Sequence, residues 1–231
     1  MSTERTLVTG AARGIGLALV HELLRRDHQV VALVRDASAV ELRALRADPR
    51  YATKLTIIEA DVTDASALRA ARETFPFQAL DLIVNNAGLT CGPQHAPGFD
   101  FELTNRLLAV NSVGPVRVYD AFVDLLRLGV NPRLVNVSSE AGSLARFRKS
   151  KKPDYAMSKA ALNAFTCWAA AEEAGMITVS VDPGWTKSDL GGEGATFSTD
   201  ETAVRLAVFT EKLAREHNGG FFTAEFDVIP F

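Results

Sequence analysis

The feature that most limits what this chain can become is an alternation of short β-type runs with stretches of helical periodicity. The runs are Thr6-Leu7-Val8, Val30-Val31-Ala32-Leu33-Val34, Leu55-Thr56-Ile57-Ile58, Leu80-Asp81-Leu82-Ile83-Val84, Leu134-Val135-Asn136-Val137 and Ile177-Thr178-Val179-Ser180-Val181. Between the first two, Ile15, Leu19, Val20, Leu23 and Leu24 recur at the spacing of one helix face. Strand, helix, strand is a βαβ unit, whose crossover is right-handed almost without exception. Runs that are continuously apolar, not alternating, belong to a parallel sheet covered on both faces. The chain therefore reads as an α/β protein with a single doubly wound Rossmann fold over residues 1–231, a mainly parallel sheet and helices on both faces. Ser38-Ala39-Val40-Glu41 has the pattern of a capping box opening the second helix. Asp48-Pro49 ends it, as proline requires. No linker divides the chain, and residues 186–200 read as a mobile substrate loop.

The first run leads into Thr9-Gly10-Ala11-Ala12-Arg13-Gly14-Ile15-Gly16, a G-x-x-x-G-x-G turn placed where the amphipathic helix begins. Glycines there let a pyrophosphate approach the helix N-terminal amides, and the last glycine lets the helix pack close to the sheet. The turn predicts dinucleotide binding. Which dinucleotide is decided at the end of the second run, where Val34-Arg35-Asp36 stands in place of a strand-ending acid. Arg35, with Arg13 in the turn, suits a 2′-phosphate and so NADP; Asp36 on the ribose of NAD is the other reading.

Tyr155 and Lys159 are four apart at the start of a strong helix former, so phenol and ammonium project from one face. An adjacent cation favours phenolate and lowers a tyrosine pKa, which predicts a general acid or base. Ser138-Ser139 follows the fifth run, and so lies at the carboxyl edge of the sheet, where open α/β folds bind ligands.

With these residues in order, the sequence resembles the short-chain dehydrogenase/reductase family, and within it is most similar to small cytosolic NADPH-dependent carbonyl reductases. The resemblance covers nearly the whole chain: the glycine turn, Asp61-Val62, Asn85-Asn86-Ala87-Gly88, Asn111, Ser139, Tyr155 with Lys159, the stretch Pro183-Gly184-Trp185-Thr186-Lys187-Ser188-Asp189, and Gly219-Gly220-Phe221-Phe222. It departs in Ser188, where many members have threonine, and in a longer interval from Ser139 to Tyr155. The resemblance implies that NADPH supplies hydride to an aldehyde or ketone, that Tyr155 gives the proton, and that Ser139 hydrogen-bonds the same oxygen. Lys159 would hold the nicotinamide ribose and depress the Tyr155 pKa, and Asn111 would position a water linking Lys159 to solvent. The cofactor set it implies is Gly10, Arg13, Gly14, Ile15, Gly16, Arg35, Asp61, Val62, Asn86, Ala87, Gly88, Pro183, Gly184 and Ser188, joined by Tyr155 and Lys159. Alcohol oxidation on the same site, and an NADP-binding regulator without turnover, are the competing functions; an intact proton-donor set argues against the regulator.

Composition narrows the partners. With 25 basic against 28 acidic residues there is no overall field to draw in nucleic acid or an anionic membrane. Cys91 and Cys167 are far apart and the histidines do not cluster, so neither a disulfide framework nor a metal site is expected. No apolar run reaches the roughly 20 residues that span a bilayer, and a soluble, cytoplasmic protein is the expectation. The dense basic run at 146–152 reads as a solvated loop, or else as an entrance that attracts anionic substrates. Residues 160–171 are apolar on more than one face, which fits complete burial or a homo-oligomer interface, and family members pair through this helix. Phe99, Phe101, Trp185, Phe197, Phe221, Phe222 and Phe226 are candidates for an apolar substrate pocket.

Overall fold

The computed structural model describes residues 3–91, 100–146, 152–189, 191–192 and 194–231. Seven strands form one parallel sheet in the order β3-β2-β1-β4-β5-β6-β7. They are β1 (Arg5–Thr9), β2 (Gln29–Val34), β3 (Leu55–Glu59), β4 (Leu82–Asn85), β5 (Arg133–Val137), β6 (Ile177–Asp182) and β7 (Phe221–Thr223). The helices are α1 (Gly14–Arg25), α2 (Val40–Ala47), α3 (Ala65–Glu73), α4 (Phe101–Leu108), α5 (Gly114–Arg127), α6 (Pro153–Glu172) and α7 (Thr199–Lys212). The six expected runs are all strands; β7 is an addition, only three residues long and buried at Phe221 and Phe222, too short for periodicity to reveal.

Side-chain alternation explains the two-faced core. Val8 of β1 packs with α1 and α7 through Leu19, Leu23, Leu206 and Phe209. Its neighbour Leu7 faces the opposite layer of Leu68, Val118, Phe122 and Leu162, from α3, α5 and α6. The order of strands reverses between β1 and β4, and the two chain segments leaving those strands part there, which opens a crevice at the carboxyl edge.

Capping follows a different pattern from the expected one. The N-cap of α2 is Ala39, with no side-chain capping bond, because the Ser38 amide donates to Asp36 Oδ1 at 2.8 Å and that local turn sets the helix entry. The full capping box belongs to α7, where the Ser198 hydroxyl accepts from Glu201 N and the Glu201 carboxylate accepts from Ser198 N. Helix α7 thus begins inside the span expected to be loop. α2 does stop at Ala47, ahead of Pro49. Among the described residues no helix is long and apolar enough to cross a membrane.

Candidate active site

At the crevice the glycine turn is fitted to its neighbours. Gly10 has φ +66°, and a Cβ there would meet Ala87 Cα at 2.7 Å; a Cβ on Gly16 would meet Gly10 O at 2.3 Å. Neither position admits a side chain. Thr9 locks the turn to the segment after β4: its Oγ1 accepts from Asn86 N at 3.1 Å and Ala87 N at 3.0 Å, and Asn86 Nδ2 donates to Thr9 O at 3.0 Å. Arg13 is the N-cap of α1 in extended conformation, and no side chain caps the helix. The first-turn amides and the dipole of α1 are therefore available to an anion.

The catalytic side of the crevice is carried by β5 and α6. Ser139 caps a short 3₁₀ turn at Glu140–Gly142, its Oγ accepting from Ala141 N at 3.3 Å, and it lines the same cavity as Tyr155. Ser138 is turned away and buried, donating to Asn163 Oδ1 at 2.7 Å. Lys159 is 5% exposed, with Nζ donating to Val137 O at 2.8 Å and lying 5.8 Å from the centre of the Tyr155 ring.

The electrostatics differ from the expected depression of the phenol. Burial pushes Tyr155 up to about 12, with the Ser139 hydrogen bond pulling the other way and the charge of Asp182 adding to the rise. Burial also pulls Lys159 down to about 8, against the influence of Asp182. Both groups sit in the same desolvated pocket, and burial drives each toward its neutral form.

Asn111 stands behind these groups. It is buried in a π-helical turn, Ala109–Val113, between α4 and α5. Its Oδ1 accepts from Leu89 N at 2.7 Å, and Nδ2 donates to Leu89 O and Ser158 Oγ, both at 2.9 Å. Both amide protons are engaged, so the side chain clamps the strand-end segment to α6. A π-turn of this kind often marks a functional position in a helix.

A cavity of about 960 Å³ joins these parts. Gly10, Arg13, Gly14, Ile15, Gly16, Arg35, Asp61, Val62, Asn86, Ala87, Gly88, Ser139, Tyr155, Lys159, Pro183, Gly184 and Ser188 all line it, and of the expected set Asn111 lies behind its wall. Arg35 and Asp36 are exposed at one end. Arg13 forms an ion pair with Asp189 of the loop after β6. Asp61 accepts from Thr63 N at 2.8 Å.

Of the aromatic candidates, Trp185 and Phe197 reach the cavity. Phe101 is 75% exposed on α4, Phe221 and Phe222 are buried in β7, and Phe226 stacks on Phe209 with ring centres 4.5 Å apart, so these four serve packing or surface. Phe99 lies outside the described residues, as do residues 147–151 of the basic run. Its described ends are Arg146, which pairs with Glu140 at 3.1 Å, and Lys152, near Thr90 Oγ1 at 3.5 Å. After β6, Lys187 N donates to Phe197 O at 2.7 Å and the Trp185 indole donates to Gly191 O at 2.8 Å. On α6, Met157 and Trp168 are half exposed.

Three features of the crevice have no counterpart among the residues expected from the sequence. Asp182 ends β6 against the catalytic pocket, and the rule that drew attention to Ser139, a polar residue at a strand's carboxyl end, applies equally to it. Arg205 from α7 lies 4.0 Å over the Phe197 ring and donates to Pro183 O at 3.0 Å. Beneath the site, Asn85 donates to Asn136 Oδ1, Asn136 to Thr166 Oγ1, and Thr166 pairs with Ser180, a buried polar chain across β4, β5, α6 and β6.

Known proteins share this arrangement. The model of the family described as short chain dehydrogenase matches residues 4–198. A short-chain dehydrogenase of Neurospora crassa, srdF, is 29% identical over 245 residues, covering 96% of each chain. Among solved structures, the NADPH-bound carbonyl reductase from chicken fatty liver superposes with a TM-score of 0.89 at 27% identity over 100% of both chains. The carbonyl reductase Sniffer of Drosophila melanogaster does so with a TM-score of 0.92 at 25% identity, again over 100% of both. With a family match over most of its length, a glycine turn that opens α1 toward an anion, and Ser139, Tyr155 and Lys159 gathered on one crevice, this chain belongs to the short-chain dehydrogenase family.

Proposed function

We propose that the protein is an NADPH-dependent reductase of aldehydes or ketones in which Tyr155 is the proton donor. The observation that carries this reading is the placement of Ser139, Tyr155 and Lys159 on the same cavity as the uncapped start of α1. The cavity is at the upper end of the usual volume of small-molecule sites, roughly 300–1,000 Å³, as a dinucleotide beside a substrate requires. The close approaches at Gly10 and Gly16 leave backbone where a pyrophosphate would lie. Arg35 and Arg13, both on the cavity, would hold a 2′-phosphate, with Arg13 exchanging Asp189 for it; Asp36 already takes the Ser38 amide. When bound, the nicotinamide supplies hydride.

The chain's own residues handle the proton. Ser139 and Tyr155 offer two hydroxyls to one carbonyl oxygen, which gains negative charge as reduction proceeds. The raised Tyr155 pKa of about 12 keeps the phenol protonated at neutral pH, ready to donate to an alkoxide that is a stronger base than phenolate. Lys159, with one N–H on Val137 O, keeps two for ribose hydroxyls. Asn111 fixes Leu89, Ser158 and hence the start of α6. Pairing of two copies through the exposed face of α6 at Met157 and Trp168 completes the proposal for assembly.

The test is consumption of NADPH and of NADH over a panel of neutral, anionic and bulky carbonyl compounds. Turnover with NADPH on at least one aldehyde or ketone is expected. Tight dinucleotide binding without turnover on any carbonyl would point to the regulator, and a preference for NADH would show that Arg35 and Arg13 do not read a 2′-phosphate.

A further inference from the structure

Asp182 is the last residue of β6, one past Val181, which pairs with Val137 of β5. That register sets its side chain beside the turn that starts at Ser139. Oδ2 accepts from Glu140 N and Oδ1 from Gly184 N, both at 2.6 Å. One carboxylate thus ties the turn after β5, which carries Ser139, to the segment after β6, which carries Pro183 and Gly184. Charge-assisted bonds of this length fix its rotamer. The group also lines the cavity with Tyr155 and Lys159.

The charges facing Asp182 come from every neighbouring element. On the cavity that Asp182 lines, α6 contributes Tyr155 and Lys159, the turn after β5 Glu140, α7 Arg205, and the segment after β7 Glu225. Glu140 is paired with Arg146 and Glu225 with Arg205. The negative charge that acts on buried Lys159 is that of Asp182, and it opposes the loss of the lysine's proton.

We propose that Asp182 is a positioning residue of the reaction: its carboxylate joins the two loops that frame the substrate carbonyl and supplies the counter-charge that holds Lys159 as an ammonium behind Tyr155. This rests on the carbonyl-reductase reading for its purpose, though its test does not depend on turnover. The carboxylate gives up no proton and forms no covalent bond in this role. Removing its charge lowers the proton affinity of Lys159 and of Tyr155 together.

The experiment is a pH titration of the lysine ¹³Cε resonances by NMR, with the Lys159 signal assigned by its absence in Lys159→Arg, in the wild type and in Asp182→Asn. The midpoint for Lys159 is expected to fall by roughly 0.5 to 1 on the pH scale in Asp182→Asn and to return toward the wild-type value in Asp182→Glu. In the same variant the alkaline loss of kcat, which follows deprotonation of Tyr155, is expected to begin at lower pH. Asp182→Ser, whose hydroxyl still accepts one amide, is the second neutral variant should the first fail to fold, and thermal melting reports folding for each. A folded neutral variant whose Lys159 midpoint does not move overturns the proposal and leaves Asp182 as a tie between loops. A wild type that turns over no carbonyl compound overturns the reductase reading instead, and the titration is still decisive for Asp182.

Discussion

At the amino edge of the sheet, buried charged groups are consumed within the chain, whereas at the carboxyl edge Tyr155 and Lys159 keep open hydrogen-bonding capacity. Asp81 is 5% exposed and accepts from the Arg5 amide, Nε and Nη2 and from Val130 N, at 2.9 to 3.0 Å. Arg133 is 3% exposed, donates to Thr210 O at 2.8 Å and pairs with Glu4, while His28 bonds Thr6. On the opposite edge, Ser139, Tyr155 and Lys159 border a cavity, with the pKa values of Tyr155 and Lys159 displaced by burial and no ion pair to either among the described residues. The difference separates two uses of a buried polar group. Saturated with partners, it fixes register and stability; left with open hydrogen-bonding capacity in a desolvated cleft, it is a candidate for chemistry.

The largest expected effect tests the carboxyl edge. Tyr155→Phe keeps the ring and loses the hydroxyl, so turnover should fall by roughly 10²- to 10⁴-fold while the melting temperature stays within a degree or two and NADPH affinity is nearly unchanged. Steady-state kinetics beside a thermal melt checks both halves. Near-normal turnover would remove Tyr155 from its role.

Asp81→Ala tests the amino edge, and the effects should invert. The Arg5 guanidinium and the amides of Arg5 and Val130 lose their acceptor, at about 2 to 3 kcal/mol of stability, with Arg5 partly solvated and so less penalised than a fully buried cation. The melting temperature should fall by about 4 to 10 °C, with kcat per folded molecule preserved. A loss of kcat without a fall in melting temperature would break the division between the edges.

The two edges were also unequally legible in the sequence. The glycine turn, Tyr155 with Lys159, and Ser139 at a strand end could be read because their meaning depends on local order along the chain: a strand before, a helix after, four residues between. Their structural places follow from those short-range facts. The amino-edge cluster could not be read, because Arg5 meets Asp81 and Arg133 meets Thr210 only after the sheet order β2-β1-β4-β5-β6 is known. The same reason hid Asp182, whose partners Glu140 and Gly184 lie on different loops. Two readings failed on competition between local bonds. The Ser38 to Glu41 pattern predicts a cap on α2, yet the Ser38 amide is taken by Asp36. An ammonium near a phenol lowers its pKa in water, yet burial of both groups outweighs that here.

Arg35→Glu sharpens the comparison at the exposed end of the cavity, where Arg35 has no ion pair among the described residues. NADPH affinity should weaken by about 1.5 to 3 kcal/mol, or roughly 10- to 100-fold, with NADH spared and the melting temperature unmoved. Direct titration of cofactor binding checks this. Equal losses with both cofactors would mean that the substitution disturbs the pocket and not a phosphate contact.

The smallest effect comes from His28, at the closed edge. It is 4% exposed, with Nδ1 2.9 Å from Thr6 Oγ1 and Nε2 3.4 Å from Glu4. Burial lowers its pKa below the ordinary 6.5, with the Glu211 carboxylate opposing and Arg26 reinforcing the shift. The folded protein therefore favours neutral imidazole, whereas the unfolded chain takes up a proton near the ordinary value. Stability from this group is fully present above about 6.5 and is lost as pH falls below it toward the lower folded value. Denaturant midpoints of the wild type should thus fall between pH 7 and pH 5 by more than those of His28→Gln, which has nothing to titrate there, by about 1 kcal/mol or less. Activity per folded molecule should show no matching change, since His28 is on the far side of the sheet from Tyr155. Parallel pH dependence in the two proteins would mean that Glu4 compensates the imidazolium, and that even the least favourable charge at this edge has its partner in place.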